Sequence, residues 1–125
     1  MIEFLTVDEV ILIHDELLSA PVIDRGKLEG AVMRPQASFG DRYLHGSIYS
    51  QAAALLHGIS QAHGFLDGNK RTAWVSALTF LSRNGVEIAL LPPVVMSDYM
   101  EEVAKGIHEV ADIAFWLARH TVEPL

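Results

Sequence analysis

Apolar residues recur at helical spacing along most of the chain, and polar, glycine-rich stretches separate the periodic segments. Thr6-Val7-Asp8-Glu9 has capping-box spacing, and Val7, Val10, Ile11, His14, Leu17 and Leu18 then fall on one face, predicting a first helix over 7–18 with Pro21 just beyond it. Residues 1–5 are too short to assign beyond a brief extended piece. Asp24 to Met33 reads as a second short helix, limited by Pro35, which disfavours helical geometry in the residue before it. Residues 36–46 are polar and punctuated by glycine, hence a loop. Ile48, Ala52, Leu55, Leu56 and Ile59 predict a third helix over 47–62. The run from Ala73 to Leu81 is apolar almost all round, as in a helix surrounded by others, and is the candidate central element, ending near Asn84-Gly85. Val86 to Leu91 is β-branched enough for a short strand stopped by Pro92-Pro93. Ser97 can cap a helix from Asp98 to Lys105, Gly106 breaks it, and Val110, Ile113, Ala114 and Leu117 mark a final helix. The expected fold class is all-α: one domain, 1–125, of about six helices around a buried central one, with room for one short strand pair.

Composition narrows the picture. A chain of 125 residues can bury roughly two thirds of its unfolded surface as a single domain. No uncharged apolar run approaches the roughly 18 residues that a membrane span requires, and residues 1–5 lack the basic start of a secretory signal. There is no cysteine, which excludes disulfides and thiolate metal sites and fits the reducing cytoplasm as the expected compartment. A formal charge of −7 argues against broad nucleic-acid binding, which needs many cations. That charge is unevenly spread. Seven of the nine basic residues but only four acids lie between Asp24 and Arg83, leaving a mildly positive centre between acidic ends. Such a centre suits a ligand with a few phosphates, although solvated charges unevenly distributed would look the same.

The chemistry concentrates in His63-Gly64-Phe65-Leu66-Asp67-Gly68-Asn69-Lys70-Arg71-Thr72-Ala73-Trp74, where a charge-dense loop feeds the apolar run. A helix start offers unpaired amides and a partial positive charge, an anion site before any side chain is counted. Lys70 and Arg71 add two full charges, Gly68 lets the backbone approach a ligand, and Asn69 supplies an amide donor and acceptor. Asp67 offers an oxygen ligand suited to Mg²⁺, and could equally cap the following helix. His63 is the natural proton acceptor beside such a site. The pattern describes a phosphate-and-magnesium cradle with a neighbouring base, as phosphoryl or nucleotidyl transfer would use.

These residues carry a resemblance. His63, Phe65, Asp67, Gly68, Asn69, Lys70 and Arg71 match in order the motif His-x-Phe-x-Asp/Glu-Gly-Asn-Gly/Lys-Arg of the Fic/Doc family. Residues 28–40, 52–57 and 80–85 further resemble its death-on-curing (Doc-type) toxin branch. The resemblance implies a Fic-like helical domain with His63 as catalytic base, Asp67 as Mg²⁺ ligand, and Gly68, Asn69, Lys70 and Arg71 as the ATP-binding set, with Phe65 packed beneath the loop. Adenylyl-transferring members have a second glycine where this chain has Lys70 and a second arginine where it has Trp74. Both changes alter the anion site, and in the Doc branch they accompany transfer of the γ-phosphate of ATP to a protein hydroxyl. The implied activity is therefore a Ser/Thr kinase toxin acting on a translation factor resembling elongation factor Tu. AMP transfer, or a non-enzymatic module keeping the motif as scaffold, are the alternatives. The implied partner is an antitoxin whose tail folds as a helix into a groove.

The remaining candidates are weaker. Arg34 and Gln36 resemble family positions and are expected near the active loop or substrate. His57 and His63 are six apart, the wrong spacing for two metal ligands on one helical face. His14 lies on the apolar face of the first helix and reads as a hydrogen-bonded structural residue. Met33, Met96, Trp74 and Trp116 read as core or partner-facing. Ser97-x-x-x-Glu101 comes nearest to the inhibitory helix of many Fic enzymes, but Glu102 stands where Gly or Asn is required, so inhibition from a second chain is the expectation.

Overall fold

A computed structural model describes residues 1–122 of the chain. Among them, six α-helices follow in order: α1 Val7–Leu17, α2 Arg25–Met33, α3 Ile48–Ala62, α4 Asn69–Arg83, α5 Pro93–Ala104 and α6 Val110–Arg119. A 3₁₀ turn, Arg34–Gln36, extends α2, and a small antiparallel hairpin pairs β1 Ser38–Phe39 with β2 Arg42–Tyr43. No described helix is long and apolar enough to cross a membrane.

The helix starts follow local chemistry. At α1 the Glu9 amide donates to Thr6 Oγ1 at 3.1 Å while the Thr6 amide donates to Glu9 Oε1 at 3.0 Å, the expected capping box. Asp24 caps α2 through the Lys27 amide at 3.0 Å, and Ser47 caps α3 through the Ser50 amide at 3.0 Å.

Five expectations are corrected. The helix placed at Ala73 to Leu81 runs from Asn69 to Arg83, so the polar motif residues form its first turn. The helix placed from Asp98 begins at Pro93, and Ser97 lies inside it. Proline at the first helical position loses no hydrogen bond, because that amide is unpaired anyway. The strand expected over 86–91 amounts to one isolated bridge, Ile88 to Thr121, whereas the stretch read as loop contains the hairpin, turned at Gly40 with φ 65°.

The fifth correction concerns the centre, which is α3. It packs against α2, the 3₁₀ turn, α4, α5 and α6, whereas α4 packs against α1, α3 and α5. The reason is side-chain size. Ala52, Ala53 and Ala54 are fully buried, and at Gly58 a Cβ would lie 3.3 Å from the Ala31 backbone. Small residues let neighbouring helices close on α3 from several sides, while the bulkier α4 fills a cleft beside it.

Candidate active site

α3 delivers the first site residue. His63 is its C-cap, in the left-handed region at φ 50° and ψ 43°, the one non-glycine among the described residues with positive φ. That conformation costs a side-chain-bearing residue on the order of 1 kcal/mol and must be held by its surroundings. The next residue shows the hold: the Gly64 carbonyl accepts from the amides of Ile23 at 2.8 Å and Asp24 at 3.1 Å. A Cβ on Gly64 would lie 2.9 Å from Leu28 Cβ, so the chain can leave α3 this closely against α2 only as glycine. The His63 side chain remains exposed and lines a cavity of about 680 Å³.

The loop between α3 and α4 is tied down residue by residue. Leu66 donates to the Pro21 carbonyl at 3.0 Å. Phe65 is buried, its amide donating to Asn69 Oδ1 at 3.1 Å and its carbonyl accepting from Asn69 Nδ2 at 2.8 Å. Both ends of the Asn69 side chain are thus engaged by one peptide residue, and Asn69 offers a ligand its backbone amide. Beneath Phe65 lies the His14 ring, parallel to it with centroids 3.8 Å apart, and His14 Nε2 donates to the Asp67 carbonyl at 2.9 Å. His14 is buried and hydrogen-bonded, as its place on the apolar face predicts.

Asp67 does not cap α4. Its Oδ1 accepts from the Gly68 amide at 2.8 Å, and the N-cap position belongs to Gly68, at φ 84°, with no side-chain cap. The first backbone bond into the helix runs from Thr72 to the Gly68 carbonyl at 2.9 Å. The amides of Asn69, Lys70 and Arg71 therefore have no partner among the described residues, and unpaired amides at a helix start are the arrangement that binds anions. Lys70 and Arg71 both line the cavity. Lys70 reaches across it to Glu101 of α5, and this pairing holds the Glu101 carboxyl below its ordinary range. Arg71 makes no salt bridge among the described residues.

The opposite wall is one face of α5, contributed by Pro93, Met96, Ser97, Met100, Glu101 and Ala104. α5 is fixed by Tyr99 stacking on Trp116 of α6 at 3.9 Å. Leu18, following α1, Leu66 of the loop, and Ser60, whose buried hydroxyl has no partner among the described residues, also line the cavity. The cavity is thus polar at the α4 start, while the α5 wall is apolar at Pro93, Met96, Met100 and Ala104 and polar at Ser97 and Glu101. The residues present fit Mg²⁺ in one mode. No group of three or more metal-ligating side chains occurs among the described residues, so the Asp67 carboxylate would share the ion with phosphate oxygens and water, as Mg²⁺ commonly requires.

His63, Asp67, Gly68, Asn69, Lys70 and Arg71 all line this cavity. Arg34 and Gln36 do not. Arg34 Nη1 donates to His57 Nδ1 at 3.3 Å, and Gln36 Nε2 approaches Met33 Sδ at 3.7 Å. Burial, with the Arg34 charge adding to it, lowers the His57 pKa. Trp74 is buried edge-on against Trp116 at 5.8 Å and is absent from the cavity wall, as is Trp116, while Met96 is on that wall and Met33 is exposed. Sequence reasoning missed Leu18, Ser60 and Met100 as lining residues; the helical spacing of the α5 face was an available signal for Met100, whereas Leu18 after α1 and Ser60 in α3 had none.

The helical domain thus presents a histidine and an uncapped, basic helix start to one cavity. The chain belongs to the Fic/DOC family, whose model matches residues 4–81. It is 43% identical over 98 residues to the protein named Toxin Doc of Mycolicibacterium smegmatis (strain ATCC 700084 / mc(2)155), covering 78% of this chain and 75% of that one. It is 32% identical over 117 residues to the protein named Protein kinase doc of Escherichia phage P1, covering 90% of each chain.

Proposed function

We propose that this protein is a Doc-type toxin kinase that transfers the γ-phosphate of ATP to a Ser or Thr hydroxyl of a translation factor similar to elongation factor Tu, and so arrests translation. The observation that carries the reading is the convergence of His63, the three unpaired amides opening α4, and Lys70 on one cavity. His63 accepts the proton of the incoming hydroxyl as its oxygen bonds to the γ-phosphorus and the bond to the β,γ-bridging oxygen breaks, releasing ADP. A positioned base of this kind contributes about 10²–10⁴ in rate. Lys70, Arg71 and the α4 amides hold the phosphate oxygens and offset their charge, which is most of what phosphoryl transfer asks of a protein. The Asp67 carboxylate would hold Mg²⁺ together with the nucleotide, and the ion would offset phosphate charge there.

The phage relative named a protein kinase supports γ-phosphate transfer, and so does the identity of Trp74, which stands where adenylyl-transferring members carry a second arginine. The relative named a toxin supports a cognate antitoxin, whose tail would fold as a helix into a groove of this chain. Cytoplasmic action follows from the proposed target. ATP labelled at the γ- or the α-phosphate, incubated with the protein and a cell extract, tests the reaction. Label entering protein from the γ-position alone is expected, and label from the α-position alone would replace the kinase with AMP transfer. If His63→Ala and Asp67→Ala, both folded, keep every cellular effect, the protein is a binding module.

A further inference from the structure

The last turn of α1 lies directly under the active loop, and its one fully buried polar residue is His14. The ring makes three contacts at once. It is stacked within 5° of parallel on Phe65, its Nδ1 lies 3.0 Å from Asp15 Oδ1, and its Nε2 lies 2.9 Å from the Asp67 carbonyl oxygen. A carbonyl oxygen only accepts, so Nε2 carries the hydrogen in that bond.

This bond fixes more than one atom. In a planar trans peptide the carbonyl of Asp67 and the amide of Gly68 point in opposite directions. Turning the carbonyl inward to His14 turns the Gly68 N–H outward, where it holds Asp67 Oδ1 at 2.8 Å. Glycine adopts either hand of the backbone with little preference, so Gly68, at φ 84°, does nothing by itself to keep this peptide plane. Leu18, one turn beyond His14, lies where a side chain on Gly68 would begin, with Leu18 Cδ2 2.4 Å from the ideal Cβ position.

We infer that His14 is a positioning residue for the reaction proposed above: by donating to the Asp67 carbonyl it sets the plane of the Asp67–Gly68 peptide, and with it the place of the Asp67 carboxylate and the entry direction of α4. His14 does not line the cavity and touches no substrate. Its kinetic consequence rests on the kinase reading, whereas its effect on the peptide plane does not. A residue that only filled space under Phe65 would be replaceable by any side chain of similar bulk.

The full-length chain carrying His14→Gln, His14→Met or His14→Phe separates these cases. Glutamine and methionine are alike in length, but only glutamine can donate to the Asp67 carbonyl, and phenylalanine keeps the stack on Phe65 without the donor. Two readouts are needed: the ¹H–¹⁵N resonance of the Gly68 amide in nucleotide-free protein, and the Mg²⁺ concentration giving half-maximal γ-phosphate transfer. His14→Met and His14→Phe should displace the Gly68 resonance and raise that Mg²⁺ concentration by about 10–100-fold, the usual effect of losing a partner that orients a metal ligand. His14→Gln should restore the resonance and most of the Mg²⁺ dependence. A Gly68 resonance unmoved in the methionine and phenylalanine variants would overturn the inference, as would His14→Gln behaving no better than His14→Met. Failure of all three to fold counts against it too, because the glutamine retains the bond said to matter. Should the wild-type protein transfer no γ-phosphate, the proposed function fails, and the Gly68 resonance still decides the role of His14.

Discussion

The Asn69 side chain is the most economical place to test how the active loop is built. Phe65 has both backbone groups bonded to Asn69, at 3.1 and 2.8 Å, and its side chain is 1% exposed. The neighbouring bonds to the segment before α2 use Gly64 and Leu66. Asn69→Ala leaves a donor and an acceptor without partners, and at about 1–3 kcal/mol per buried group, taken toward the lower end because these bonds are only partly buried, the loss is about 2–4 kcal/mol. For a domain of this size that corresponds to a fall in Tm of roughly 6–16 °C. Asn69→Asp sharpens the test. A carboxylate in the first turn of a helix is ordinarily favourable by about 0.3–1 kcal/mol, so a view of Asn69 as a helix-end residue expects the aspartate to stabilise. The bonding to Phe65 expects the opposite, because an oxygen would replace the donor that faces the Phe65 carbonyl. Thermal and urea unfolding of the two variants measure both. An Asn69→Asp protein melting at or above wild type, or an Asn69→Ala protein within 2 °C of it, would refute the account.

Three further outcomes are expected. Gly64→Ala drives a methyl to 2.9 Å from Leu28 Cβ and should cost about 1–3 kcal/mol in chemical denaturation, with activity falling further as the exit from α3 shifts. Glu101→Gln releases Lys70 for phosphate and should lower the KM for ATP roughly two- to fivefold in a steady-state transfer assay, an unchanged KM showing that the pairing does not compete with nucleotide. The Glu9 carboxyl is held below its ordinary value of 4.5 by Arg83 first and by the Thr6 amide second. Its contribution is therefore present at neutral pH and lost as pH falls through its depressed value, so Glu9→Gln should lower Tm at pH 7 and make little difference near the acid end of that titration.

The sequence by itself determined where most helices start and which residues gather at one cavity. The capping box at Thr6, the periodic faces of α1, α3 and α6, and the starts of α2 and α3 near residues 24 and 47 are local properties written within a few residues, and they reappear in the structure almost to the residue. The spacing of His63, Asp67, Gly68, Asn69, Lys70 and Arg71 likewise marked the cavity these residues now line. What escaped depended on contacts between distant segments. The Pro92-Pro93 pair stops a strand or starts a helix with equal local logic, and the packing of Tyr99 on Trp116 accompanies the second outcome. Apolar density pointed to α4 as the centre, but the space that lets helices close together comes from small side chains on α3. Only the tertiary structure decided that Asn69 braces Phe65, that Arg34 turns to His57, and that His14, 53 residues from Asp67 in the chain, holds its carbonyl. Periodicity records which face of a helix is apolar; which peptide a buried ring will meet on that face is settled when the helices dock.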